Sequence, residues 1–179
     1  DALYEIESMR RFAGLRLSDN LPDETTILHF RHLLERHNLG KKLFDEVNRY
    51  LKSKGLSVRE GSIVDASIIS APTSTKNKAR ERDPQMHQTK KGNEWYFGMK
   101  MHIGVDYALG LIHSIATTSA NVHDITQADQ LLHGDECCIW GDAGYQGIEK
   151  REEHKDREVD WLIAMRPGKR QQLCEHSDE

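Results

Sequence analysis

Two short apolar runs each deliver an aspartate beside small residues. Gly61-Ser62-Ile63-Val64-Asp65 is one, and Cys137-Cys138-Ile139-Trp140-Gly141-Asp142 is the other. Each run reads as a buried strand, and the second stops at Gly141-Asp142 before Ala143-Gly144-Tyr145 turns the chain. A carboxylate at the carboxyl end of a strand, next to glycine, stands where open α/β sheets hold their ligands. Two such carboxylates on neighbouring strands offer hard oxygen donors to a divalent cation while leaving room for water and phosphate oxygens. In two-metal sites the ions lie roughly 3.5–4 Å apart and clamp the attacking and leaving oxygens of a displacement. Aspartates also close surface turns, so the spacing alone does not decide the chemistry.

The elements that must position this pair follow from the periodicity. Residues 1–55 read as three helices: Leu3, Ile6, Met9 and Phe12 or Ala13; Ile27, Phe30, Leu33, Leu34 and His37 after Pro22-Asp23; and Leu43, Val47, Tyr50 and Leu51. Gly14, Gly40 and Gly55 punctuate them, with Gly40 in the position of a helix C-cap. Such a unit fits DNA binding or plain helical packing. From residue 56 the pattern turns β-branched through residue 69. Ser70 to Asn93 is polar and reads as one long loop, carrying Lys76, Lys78, Arg80, Arg82, Lys90 and Lys91. Those basic side chains suit phosphate contacts, although a solvated loop has the same composition.

Residues 95–106 and 111–118 alternate as two strands joined at Ala108-Leu109-Gly110. A helix is expected from Asn121 or Asp124 to Leu132, then the 137–141 strand, a charged helix from Gln146 to Lys155, and a last strand over 159–164. Strand, hairpin, helix, strand, helix, strand is the order of a mixed α/β sheet of ribonuclease H-like type, in which residues 56–69 and 137–141 lie side by side. The expected domains are therefore a helical region, 1–55, and a ribonuclease H-like region, 56–179.

Composition sets outer bounds. The 179 residues carry a formal net charge of -4, which counts against a simple DNA-coating role but not against a metal-dependent nuclease. No run is long enough for a membrane span. Three cysteines, two of them adjacent and none in a C-x-x-C pair, argue against a disulfide framework and against structural zinc, and fit a reducing cytoplasm.

Four stretches in order, Ile63-Val64-Asp65-Ala66-Ser67, Trp95 to Asp106, Thr118-Ser119-Ala120-Asn121-Val122-His123-Asp124 and Gly141 to Gly147, closely resemble the DDE transposases of the bacterial insertion-sequence 5 family, within the insertion-sequence 4 superfamily. The likeness runs from about residue 20 to the end. It implies that Asp65 and Asp142 match the first two catalytic aspartates and bind Mg²⁺ or Mn²⁺ in a two-metal site. It further implies cleavage at transposon ends, transfer of the freed 3′-hydroxyl to target DNA, a homo-oligomer on DNA, and a bacterial cytoplasmic, nucleoid-associated location. It also shifts residues 1–55 towards binding of transposon ends. The family's third carboxylate, a Glu in a Tyr-x-x-Arg-x-x-x-Glu setting, finds no match. The expectation is thus a transposase chain truncated before that residue and inactive alone. The alternatives are a non-catalytic DNA-binding remnant and a ribonuclease H-like nuclease drawing on Asp106 or Asp124.

Other residues carry two readings. His102 is expected to be structural, with a place facing the site as the alternative. His123-Asp124 looks like a metal pair, but Asp124 is expected as a helix cap. Tyr145 and Gln146 fit either phosphate positioning or local packing. Trp95 and Trp140 are expected in the core. His87 and His113 have no partner at ligand spacing.

Overall fold

The computed structural model describes residues 2–56, 60–72 and 81–175. The chain divides into two compact units, Asp1–Tyr50 and Leu51–Glu179.

The first unit is helical, with α1 (Ala2–Glu5), α2 (Glu7–Phe12), α3 (Glu24–Arg36) and α4 (Leu39–Ser53), the last running on past Tyr50. The single helix expected over residues 3–13 is two, because Ile6 is extended (φ -108, ψ 107). Asp23 caps α3, accepting from the Thr26 N–H at 2.7 Å. The Thr26 hydroxyl bond, followed by its backbone bond, lowers the Asp23 carboxyl to about 2. Gly40 is not the cap that its position suggested. It lies inside α4, and the break falls at Asn38 in the left-handed region (φ 50), a conformation asparagine tolerates. Leu21 is the one buried side chain among the described residues of this unit. Phe30, Leu43, Val47 and Tyr50 are all exposed.

The second unit is a six-stranded mixed sheet: β1 (Gly61–Ser70), β2 (His87–Lys91), β3 (Glu94–Asp106), β4 (Ile112–Ser119), β5 (Cys138–Gly141) and β6 (Asp160–Ile163). Its order is β2-β3-β1-β5-β6, and β4 also pairs with β3. β1 runs antiparallel to β3 and parallel to β5, and β5 is parallel to β6. The expected neighbours, residues 56–69 and 137–141, thus lie side by side. This is the mixed α/β sheet of the ribonuclease H-like fold.

Part of the expected 70–93 loop is a strand. Thr89 pairs with Tyr96 and Lys91 with Glu94, and Gly92 (φ 62) opens the two-residue turn between them. Glycine in the first central position is what a type II′ hairpin turn requires. His87-Gln88-Thr89-Lys90-Lys91 has no apolar alternation, so the turn pair Gly92-Asn93 was the only hairpin signal it carried.

Two expected helices shrink to short helical turns. Over residues 121–132 there is a 3₁₀ turn, Asp124–Gln127, followed by α5 (Ala128–Leu131). The Val122 carbonyl accepts from Lys100 Nζ at 2.8 Å, and the Thr126 N–H bonds the His123 carbonyl at 3.0 Å in the i+3 pattern. Over residues 146–155 only Ile148–Lys150 is helical, entered through Gly147 at φ 89. A final helix, α6 (Pro167–Glu175), follows β6 where none was expected; Pro167 occupies its first position, which lacks an intrahelical donor role.

The core lies against β1 and β5. Val64, Ala128, Leu131, Leu132, Ile139, Tyr145 and Ile148 form it, and Ile125, Trp161 and Ile163 pack on its margin. Trp140 is half-buried and stacks on Tyr107 with ring centroids 4.8 Å apart. Trp95 is 67% exposed, so the expectation of a core role fails for it. At the far end of β3, the Asp106 carboxylate accepts from the N–H groups of Ala108 and Leu109 at 3.0 and 2.9 Å, closing the β3–β4 turn.

One buried ionic cluster ties β1 to the segment leading into β5. The Glu136 carboxylate, 1% exposed, accepts from the N–H groups of His133 and Gly134 at 2.7 and 2.8 Å and from the Ser62 hydroxyl at 3.2 Å. His113 Nε2 meets the same hydroxyl at 3.0 Å, and Arg157 Nη1 stands 3.8 Å from Glu136. Burial alone would raise the Glu136 pKa, but the His133 and Gly134 N–H bonds and the His133 ring outweigh it and the net direction is down. A carboxyl depressed in the folded state stabilises the fold above its unfolded pKa, and that contribution is lost as pH falls through the lower folded value. Glu136→Ala therefore costs about 3–5 kcal/mol, since Arg157 and the backbone donors lose a buried partner. Thermal unfolding followed from neutral pH downward will show a shallower acid limb in Glu136→Gln than in the parent.

Candidate functional site

The parallel ladder ends with Val64 opposite Gly141. Asp65 and Asp142 each follow the last residue paired in this ladder, so both carboxylates lie where β1 and β5 part; β5 ends there, while β1 runs on to Ser70 against β3. Both side chains are solvent-accessible. Asp65 Oδ1 accepts from the N–H of Ala66 at 2.8 Å, and Asp142 Oδ1 accepts from the N–H of Gly144 at 2.8 Å. Asp142 is the cap of a 3₁₀ turn, Ala143–Tyr145, and its own backbone is extended (φ -75, ψ -179). The strand therefore ends in a cap whose side chain is held by the turn it starts.

Asp124 joins them, and not as a helix cap. His123 is the residue that precedes the 3₁₀ turn, and its side chain makes no capping bond. The Asp124 carboxylate instead pairs with Lys100 Nζ at 2.9 Å, both side chains being largely buried. Its other oxygen reaches across Gly144. A Cβ placed on Gly144 would lie 2.9 Å from Asp142 Oδ1 and 3.2 Å from Asp124 Oδ2. The two carboxylates thus face one another over a residue with no side chain.

Beneath them lies Tyr145, fully buried, with a hydroxyl that has no hydrogen-bond partner among the described residues. Burial first, then the charges of Asp124, Asp65 and Asp142, push its ionisation up, so the phenol keeps its proton. His102 is also fully buried. Its Nε2 meets Thr118 Oγ1 at 2.8 Å, while Nδ1 has no hydrogen bond and stands 3.8 Å from Asp124 Oδ1. Burial, opposed by Asp124 and aided by Lys100, lowers its pKa and keeps the ring neutral.

The remaining expected residues fall elsewhere. Gln146 donates to the Ala164 carbonyl at 2.9 Å, a packing role that ties the turn to the end of β6. His123 is exposed. His87 bonds Ser119 Oγ at 2.7 Å, and His113 belongs to the Glu136 cluster. Lys90 and Lys91 are part of β2, not of a loop; Lys91 is exposed and Lys90 is on the same edge. Arg82 lies over the Phe97 ring, 4.9 Å from its centroid. Lys76, Lys78 and Arg80 lie outside the described residues. Among the described residues no three His, Cys, Asp or Glu side chains stand close enough together to hold a metal ion. Sequence reasoning missed Lys100. Its signal was a lone basic residue in the otherwise apolar alternation of β3, a cation that needs a partner once buried.

The profile of the Transposase DDE domain family matches residues 56–178, and that of a second family, Transposase domain (DUF772), matches residues 1–33. The chain belongs to the DDE transposases. Its function is transposition of DNA. No solved structure matches this transposase. Among the described residues no helix is long and apolar enough to cross a membrane.

The orphaned hydroxyl makes a direct expectation. Tyr145→Phe removes a buried polar atom that has no partner, so the fold gains up to about 1 kcal/mol. Tyr145→Ala empties the core beneath the carboxylates and costs about 3–5 kcal/mol. Denaturant melts of the two variants against the parent will separate these effects.

Proposed function

We propose that this transposase is of the insertion-sequence 5 type and cuts and joins DNA through a cation site formed by Asp65 and Asp142. The observation that carries this reading is the end of the parallel β1–β5 ladder, where both carboxylates follow the last paired residues. DDE transposases generally use divalent metal ions, and the residues present fit one. The donors are hard carboxylate oxygens, and the glycine between Asp142 and Asp124 leaves open the space that a Cβ would fill. When bound, Mg²⁺ or Mn²⁺ supplies charge for the attacking and leaving oxygens at phosphorus.

The chain's own residues prepare that chemistry. The Ala66 and Gly144 N–H groups each hold one oxygen of an aspartate, fixing both carboxylates before any ligand arrives. Tyr145 fills the volume beneath the pair with its apolar ring as part of the buried core. Water attacks the phosphodiester at a transposon end, the P–O bond to the 3′ oxygen breaks, and a 3′-hydroxyl leaves. That hydroxyl then attacks a target phosphodiester, forming one P–O bond as another breaks. A homo-oligomer on paired ends is part of the same proposal.

Residues 1–55 are proposed to bind transposon ends, and Arg82, Lys90 and Lys91 to contact backbone phosphates, with Lys76, Lys78 and Arg80 in the same role. Exposed Lys90 and Lys91 on the edge strand β2 are where a phosphate backbone has room to lie.

Calorimetric titration with Mn²⁺ tests the site. Asp65→Asn and Asp142→Asn are expected to abolish binding with the melting temperature held within a few degrees, and unchanged binding in both overturns the assignment. DNA affinity of the whole chain falls with rising salt, and Lys90→Ala/Lys91→Ala lowers the slope of log K against log salt by about 2. An unchanged slope removes β2 from the DNA contact.

A further inference from the structure

Lys100 is the least expected residue near the two aspartates. It leaves β3 on the face that packs against the core, in register with Ile68 of β1. Its Nζ donates to the Val122 carbonyl at 2.8 Å and to Asp124 Oδ1 at 2.9 Å, with the two side chains only 13% and 23% exposed. One cation thus clamps both the backbone and the side chain of the segment entering the 121–127 turn. A buried ion pair of this kind seldom adds stability over an apolar pair, so its presence here fits a positional role.

The clamp leaves Asp124 with one oxygen for the pair and one for the site. Oδ1 is taken by Lys100. Oδ2 overlooks Gly144, at the spot that Asp142 Oδ1 also approaches. Two carboxylates turned on one small volume repel each other unless a donor or cation lies between them.

A second observation points the same way. His102 and Tyr145, both fully buried, carry polar atoms without partners at this end of the sheet. The Thr118 hydroxyl donates to the Ser119 carbonyl at 3.1 Å, so it must accept from His102 Nε2–H at 2.8 Å. That assigns the tautomer and leaves Nδ1 as a lone pair, 3.8 Å from Asp124 Oδ1. The His102 Nδ1 lone pair and the Tyr145 hydroxyl thus have no partner among the described residues at this end of the sheet.

We propose that Asp124, clamped by Lys100, is a positioning residue that accepts hydrogen bonds from the water shell of a divalent cation held by Asp65 and Asp142. Asp124 is not a direct ligand in this assignment. The inference rests on the assignment of Asp65 and Asp142 to the cation. Outer-shell carboxylates orient bound water, and their loss typically weakens metal affinity by about 10–100-fold.

The test is a Mn²⁺ titration of the full chain, read by electron paramagnetic resonance and by relaxation of the water protons on bound Mn²⁺. Asp124→Asn is expected to weaken affinity by about 10–100-fold and to change the water relaxation, which a purely structural role would leave alone. Lys100→Gln touches neither Asp65 nor Asp142 but releases the Asp124 carboxylate from its cation, and a weakening in the same direction is expected. That variant answers the question if Asp124→Asn fails to fold. Parent-like affinity in a folded Asp124→Asn, or in Lys100→Gln, overturns the proposal. Complete loss in Asp124→Asn, equal to that in Asp142→Asn, overturns it too, by making Asp124 a ligand. If Asp65→Asn and Asp142→Asn both bind Mn²⁺ as the parent does, the cation assignment itself fails.

Discussion

The parallel pairing of β1 with β5 is the constraint on which the site depends. Residues 61–64 match 138–141 one for one, and the pairing of β1 with β5 stops just before Asp65 and Asp142. A slip of one residue in a strand turns every side chain to the other face, so the buried Val64 and Ile139 fix the register as firmly as any contact at the site. The core and the carboxylate pair are therefore set by one interaction. Glu136 adds to it from the other end, since its carboxylate joins Ser62 of β1 to the segment just before β5.

Around that ladder the backbone holds the chemistry still. Each aspartate is bonded to an N–H one or two residues on, so neither depends on a distant side chain for its orientation. Asp124 is different. Its place is set through Lys100, from a strand on the opposite side of β1, and this links the β3 and β5 sides of the sheet across the site. Gly144 is the residue that allows the approach, because any side chain there would meet both Asp142 and Asp124.

Much of this was legible in the sequence. The two short apolar runs ending in aspartate, the hairpin at 106–111 and the order of elements led to the sheet and to the adjacency of β1 and β5. Three features were not, for identifiable reasons. β2 has no apolar alternation, since one edge strand facing water needs none, and only Gly92-Asn93 betrayed it. The helices expected over 121–132 and 146–155 have the right apolar spacing, but Lys100 withdraws the Val122 carbonyl from one and Gly147 interrupts the other. Asp124 looked like a cap because local sequence cannot show that a lysine more than twenty residues upstream would claim its carboxylate. Periodicity reads faces, whereas a pair formed across a sheet needs the register first.

The central claim is that the two carboxylates at the end of the β1–β5 ladder make one cation site. Nuclear magnetic resonance of the amide-labelled chain, with Mn²⁺ added in small steps, tests it most directly. The amides of Ala66 and Gly144, which hold Asp65 and Asp142, should broaden first and together, at the lowest Mn²⁺ concentrations. Broadening that begins elsewhere, around Glu136 for instance, or that reaches Ala66 and Gly144 at clearly different concentrations, would contradict the account.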